Sequence, residues 1–293
     1  MGAPRHGRAA CALFAVVATS CLCAKAQKVE YTQTELFLRK EEFFNVRKAR
    51  LAAAFWGVSY AATTTALGAA WYGGERRAPF HLFDDNRQWK QIDKWGHAYA
   101  AFQFSHAAME TAKWTGCERK TVLWTASAGF AILLPIEIFD GFMEKYGASV
   151  GDLAANAAGS ALALINEAVW KRPRILLKVG FFPTDYARLR PDLLGRNFAE
   201  QLLKDYNGHT FWISYSPYEL WKHWPRWLCV SVGYGAGGLL GGYGKDDPRV
   251  IAEREYRRYH LSLDVDWTRI PTRKAGMRLL FAILNAVKLP FPS

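Results

Sequence analysis

Cysteine is scarce and poorly placed for chemistry. Of five in the chain, Cys11, Cys21 and Cys23 fall within the first 26 residues, leaving Cys117 and Cys229 far apart. That excludes a disulfide framework and the paired spacing of a structural zinc site. One bridge between them is open in an oxidising compartment, and two separate small apolar side chains are the simpler expectation. Acidic residues are also thin, with 38 Lys and Arg against 26 Asp and Glu and a net charge of +12. A basic chain invites nucleic acid as a partner, yet no nucleic-acid-binding motif is present, so that partner is not expected. Charge of either sign is missing altogether from 51–74.

What is present begins with a targeting signal. Arg5 and Arg8 form a basic n-region, 9–23 is apolar, and Ala24-Lys25-Ala26 forms an A-x-A site before Gln27. This predicts a secretory signal peptide over 1–26. The alternative is a lipoprotein signal with Cys21 modified, although Ala18-Thr19-Ser20 lacks the leucine usual three residues upstream. The rest of the chain stays basic and rich in Trp, Tyr and Phe, a pattern that suits a membrane surface and makes membrane lipid the expected partner.

Residues 27–50 carry Leu36, Phe37, Phe43, Phe44 and Val46 at roughly helical spacing and predict an amphipathic lead-in. The charge-free segment 51–74 is long enough to span or dip into a bilayer, with basic flanks and Trp71 and Tyr72 at one end. Its Ala, Gly and Thr content equally suits a buried helix. After a connector containing FHLFDDNRQW, three further helices are predicted at 93–114, 121–142 and 149–170.

Those helices carry a few polar residues at telling intervals. Asp93 and His97 are four apart, Glu137 and Asp140 three apart, and Asp152 and Asn156 four apart, so each pair shares one face of its helix. Ionisable groups on apolar helices are costly and persist where paired or useful. If the three faces converge, they enclose one imidazole, up to four carboxylates and an amide. Such a set suits a divalent metal ion, with His97, Glu137, Asp140 and Asp152 as the candidate ligands. It equally suits acid/base catalysis by His97, Glu137 and Asp140. A purely structural reading stands beside these: Asp93 as an N-cap, Asp152 at a helix dipole, Asn156 bonding across a helix interface, and Lys94 neutralising Glu137 or Asp140.

The strings DKWGHAYAAFQFS at 93–105, IEIFDGF at 136–142 and GASVGDLAANAAGSALA at 147–163 resemble the YfiM-like family of uncharacterised envelope proteins, described as periplasmic lipoproteins. The motif order also resembles VanZ-like membrane proteins. The resemblance implies an exported, membrane-associated protein and marks Asp93, Lys94, His97, Glu137, Asp140, Ser149, Asp152, Asn156 and Gly159 as motif positions. It implies no reaction.

Past Trp170 the character changes. The basic, proline-broken segment 171–191 predicts a boundary and a surface-lying stretch. A short amphipathic helix follows at 196–206, then an Asn-Gly turn. Strands at 227–234 and 259–270 predict a small antiparallel hairpin. Gly233, Gly235 and Gly238 match G-x-G-x-x-G, but no helix can follow in LLGGYGKDDP, and Gly244-Lys245 lacks a P-loop's spacing and hydroxyl. His209, His223 and His260 have no partner at ligand spacing.

The sequence therefore predicts a mainly α, membrane-associated bundle over 51–170 with a mixed α/β part over 171–293. It is expected to be a non-enzymatic envelope component whose polar cluster binds an ion or polar ligand or stabilises the bundle, and whose C-terminal part meets a protein partner. The alternative is an enzyme acting on an envelope lipid or cell-wall precursor.

Overall fold

A computed structural model describes residues 40–72, 75–242, 255–272 and 274–289. The expected signal peptide, Cys21, most of the lead-in and Gly244-Lys245 lie outside them. The chain opens with α1 (Val46–Tyr72), and residues 40–45, expected to be helical, are irregular. Next come α2 (Ile92–Trp114), α3 (Arg119–Trp124), α4 (Ala128–Asp140) and α5 (Val150–Trp170). The single helix expected at 121–142 is thus broken. Thr125 Oγ1 donates to Val122 O at 2.7 Å and Ser127 Oγ to Trp124 O at 2.8 Å, so hydroxyls bonded back into the preceding turn bend the path at a 3-10 turn.

Helix α2 is the centre of the bundle. Its Phe102, Met109 and Ala112 pack with Val122, Ala126, Ala163 and Leu177 in one core cluster. Close approach needs small residues, and two glycines supply it. A Cβ on Gly159 of α5 would sit 2.0 Å from Ala98 O, and one on Gly129 of α4 would sit 2.0 Å from Ala101 O. Ser105 adds a buried polar pin, donating to Ala126 O at 2.5 Å. Helix α1 lies across this group through Trp56, whose Nε1 donates to Thr111 Oγ1 at 3.3 Å. Among the described residues, the stretch long and apolar enough to cross a membrane is Arg119–Asp140, a third of it buried, rather than the expected 51–74.

The expected two-stranded hairpin is a four-stranded antiparallel sheet, in which β1 (Ile175–Phe181) pairs with β2 (His209–Tyr215), β2 with β3 (Leu228–Gly237), and β3 with β4 (Tyr256–Val265). The segment read as a surface boundary is the edge strand β1, because Leu176 and Leu177 are buried by their neighbours. Three short helices, α6 (Tyr186–Leu189), α7 (Pro191–Leu194) and α8 (Phe198–Lys204), join β1 to β2, and α9 (Ala275–Leu284) closes the chain.

The sheet is strongly curled. In a flat sheet β1 and β4 stand about 14 Å apart, beyond a lysine's reach. Yet Lys178 of β1 donates to Val265 O at 2.6 Å and pairs with Asp264 at 2.9 Å. Residues 286–288 extend the β1 edge, and Lys288 Nζ from there reaches Leu263 O at 2.7 Å. The concave face is consequently closed, with the polar groups of Lys178, Ser214, Ser231 and Asp264 fully buried beside Leu176, Trp212 and Cys229. The convex face is apolar, and Phe211 and Tyr234 on it meet Ile92, Trp95 and Tyr99 of α2.

Because a methyl group at Gly159 meets backbone, Gly159→Ala is expected to push α2 and α5 apart and destabilise the fold by about 1–3 kcal/mol. Denaturant unfolding measures this, and an unchanged midpoint would contradict the close approach.

Candidate functional site

Four chain segments build the site. The start of α2 brings Asp93, Lys94 and His97, the end of α4 brings Glu137 and Asp140, and the start of α5 brings Ser149, Asp152 and Asn156. The fourth is the connector. Its Phe83 N donates to Ala148 O at 3.0 Å and Ala148 N to His81 O at 3.0 Å, which lays Asp85 over the first turn of α5. Ser149 is the N-cap of α5, accepting from Asp152 N at 3.1 Å.

Asp93 is not an N-cap. It follows three consecutive left-handed residues, Trp89, Lys90 and Gln91, with φ of 49°, 51° and 64°. Each costs of order 1–2 kcal/mol, and the turn is held by surrounding contacts. Tyr234 OH donates to Lys90 O, Gln91 Nε2 donates to Asn86 O at 2.6 Å, and Trp89 packs edge-on against Tyr206. This turn aims the first residues of α2 inward.

Lys94 occupies one half of the site. Its ammonium lies 2.7 Å from Asp85, 3.0 Å from Asp93 and 2.8 Å from Asp152, all largely buried. It does not reach Glu137 or Asp140, as one sequence reading had it. Burial opposes its charge, but the three carboxylates outweigh that and raise its pKa above the ordinary lysine value. Asp85 is held below the usual range despite its burial, through hydrogen bonds from Lys94 and from Ser149 Oγ, the latter at 2.5 Å. Asp93 is pushed up, chiefly by burial.

His97 occupies the other half. Its Nδ1–H donates to Asn156 Oδ1 at 3.1 Å, and its Nε2 lies 3.7 Å from Asp152 Oδ1. Glu137 Oε1 is 3.7 Å from Nδ1, beyond a hydrogen bond, and has no hydrogen-bond partner although Glu137 is only 2% exposed. Its other oxygen accepts from Ser149 N at 3.3 Å. Burial and the charge of Asp152 push Glu137 up to about 8. Asp152 itself is raised, again chiefly by burial.

Two groups of donor atoms come within 4.8 Å of one another: His97, Glu137 and Asp152, and Asp85, Asp93 and Asp152. The second already surrounds the Lys94 ammonium. Asp140 belongs to neither group. It accepts from Tyr72 OH at 2.9 Å, and burial raises it to about 6. Asp85 and Tyr72 were missed in the sequence because nothing local ties either to the α-helical motifs. His209 is a core residue bonded to Asp205 O and Leu202 O, while His223 is exposed. Gly233 lies within β3 against the Trp212 ring, so the rejected glycine motif is strand packing.

Fold and site together define a compact helical bundle with a buried carboxylate–histidine–lysine cluster, extended by a curled antiparallel sheet. Residues 82–168, which contain the whole cluster except Tyr72, match the model of a family described as "Predicted periplasmic lipoprotein (DUF2279)". The segment fits this uncharacterised family of envelope proteins, and the match accords with export to the cell envelope. No curated protein and no solved structure matches the chain.

Removing the ammonium, as in Lys94→Met, is expected to cost about 3–5 kcal/mol near neutral pH by leaving buried carboxylates uncompensated. The loss shrinks in acid, where they protonate. Urea unfolding at two pH values checks this. Glu137 gives a second dependence. Its folded value lies above its ordinary 4.5, so its contribution is fully present below pH 4.5 and is lost as pH rises through about 8. Asp140 acts in the same direction. The metal-free protein should therefore lose stability from mildly acidic to mildly basic pH, and Glu137→Gln should flatten the slope of unfolding midpoint against pH.

Proposed function

We propose that this is an exported, non-enzymatic component of the cell envelope that binds one divalent cation through His97 Nε2, Glu137 and Asp152. The observation that carries this reading is the Glu137 Oε1 atom, buried, without a hydrogen-bond partner, and close to an imidazole and a second carboxylate. A buried carboxylate oxygen normally has a donor, and a cation would supply the missing one. Lys94 pairs with Asp85, Asp93 and Asp152, so Asp152 would be shared between the ammonium and a bound cation, and Glu137 is the carboxylate of the set that the ammonium does not contact. Asn156 would orient the imidazole as an outer partner. One imidazole with two carboxylates favours Mn, Fe or Zn over the all-oxygen preference of Mg or Ca. His97 is partly exposed and offers the entry.

One observation favours the enzymatic reading: a glutamic acid held protonated near neutral pH beside an accessible histidine is a proton-transfer pair suited to an envelope lipid or cell-wall precursor.

Calorimetric titration of the purified protein with Mn²⁺ and Zn²⁺ separates the readings. Cation binding predicts one equivalent, weakened about tenfold or more by Glu137→Gln and by His97→Ala, and little changed by Asp140→Asn. Absence of uptake in the wild type would sink the proposal. An envelope phenotype lost in His97→Ala without any wild-type metal uptake would favour the enzyme.

A further inference from the structure

The sheet is built the opposite way round from a water-soluble one. Its sealed concave face holds the polar side chains of β4, His260, Ser262 and Asp264, beside Trp212, and its convex face is apolar. Where that convex face meets α2 it is covered, but toward β4 it continues uncovered, with Tyr259 72%, Leu261 78%, Leu263 55% and Val232 57% exposed. These four share one face, since Leu261 stands opposite Val232, Leu263 opposite Val230 and Tyr259 opposite Tyr234. Side chains alternating apolar-out and polar-in belong to sheets whose outer medium is lipid.

The end of the sheet carries the matching headgroup chemistry. Arg172 and Pro173 just before β1, Arg226 just before β3, and Thr268 and Arg269 just after β4 line one cavity of about 320 Å³. The lining side chains that carry charge are the three arginines, and Asp266 Oδ2 lies 3.0 Å from Arg269 Nε. Arg226 also stacks over the Tyr218 ring at 5.0 Å. Guanidinium groups converging on a concavity match a phosphate. Leu220 and Trp221, in the connection from β2 to β3, and Trp227, next to Arg226, are exposed, the residue types found where a bilayer meets water. From Tyr259 to Leu263 the strand rises about 13 Å, against roughly 15 Å for the hydrocarbon of one leaflet. The apolar strip therefore matches one leaflet and not a full crossing.

We propose that the convex face of β3 and β4 lies in the acyl region of one leaflet of an anionic phospholipid bilayer, with Arg172, Arg226 and Arg269 holding a headgroup phosphate. The basic chain as a whole favours such a surface.

The test uses the full chain bound to phosphatidylethanolamine/phosphatidylglycerol vesicles that carry a photoactivatable acyl chain, with adducts mapped by mass spectrometry. Adducts are expected at Val232, Tyr259, Leu261 and Leu263. Combining Arg172→Ala with Arg226→Ala should lower their yield by about tenfold or more, while circular dichroism stays unchanged. Adducts confined to residues before 75 would overturn the proposal, since the chain would then be anchored at its N-terminus alone. Absence of adducts together with a concentration-dependent dimer covering the four residues would also overturn it, and would assign the face to a second copy. Equal labelling of the double variant would overturn the headgroup assignment.

Discussion

Lys94 is the group on which the arrangement of the bundle's polar end depends. Its ammonium joins the connector, through Asp85, to α2, through Asp93, and to α5, through Asp152. Three buried carboxylates at this separation repel one another and are each poorly solvated. A single internal cation turns that repulsion into cohesion. The connection is possible because Gly159 and Gly129 let the backbones of α5 and α4 come against α2, so that side chains one to two turns away meet. Packing and electrostatics are thus one device here, since the close approach brings the charges together and the lysine makes the approach tolerable.

The lysine also explains why the cluster is divided. It compensates the acids on the connector side and leaves Glu137 on the other side with an unshared oxygen. Glu137 takes up a proton more readily than an ordinary glutamate, because burial and the neighbouring Asp152 disfavour its charge. A cation bound there, as proposed, would displace that proton, so its occupancy would rise with pH. The left-handed turn at Trp89, Lys90 and Gln91 fits this picture, as strain before α2 is offset by contacts to the sheet and aims Asp93, Lys94 and His97 inward.

Much of the helical part was legible in the sequence. The 3.6-residue period placed α2 and α5 to within a few residues, and the intervals of three and four put Asp93 with His97, Glu137 with Asp140, and Asp152 with Asn156. Ser149 entered only as a motif position of the family resemblance, and the structure makes it the cap of α5. The break at Thr125–Ser127 was not legible, because hydroxyl back-bonding depends on which rotamers packing selects. Strand β1 was misread as a surface boundary, since KRPRILLKVGFF carries basic and proline signals at its start. Its Lys178 is buried only because β4 curls round to provide Asp264.

The sequence by itself determined a basic chain rich in aromatics, a mainly helical central region, and polar residues paired on three apolar helices, because helical periodicity and charge are local properties. Only the tertiary structure decided that Lys94 pairs with Asp85, Asp93 and Asp152, that Asp140 turns to Tyr72, and that Glu137 keeps an unpartnered oxygen beside His97. It alone decided that the sheet curls with its polar face inward. These outcomes depend on distances between residues far apart in the chain, set by the closeness of two glycine-mediated helix contacts and by the reach of buried lysines, and no local pattern encodes them.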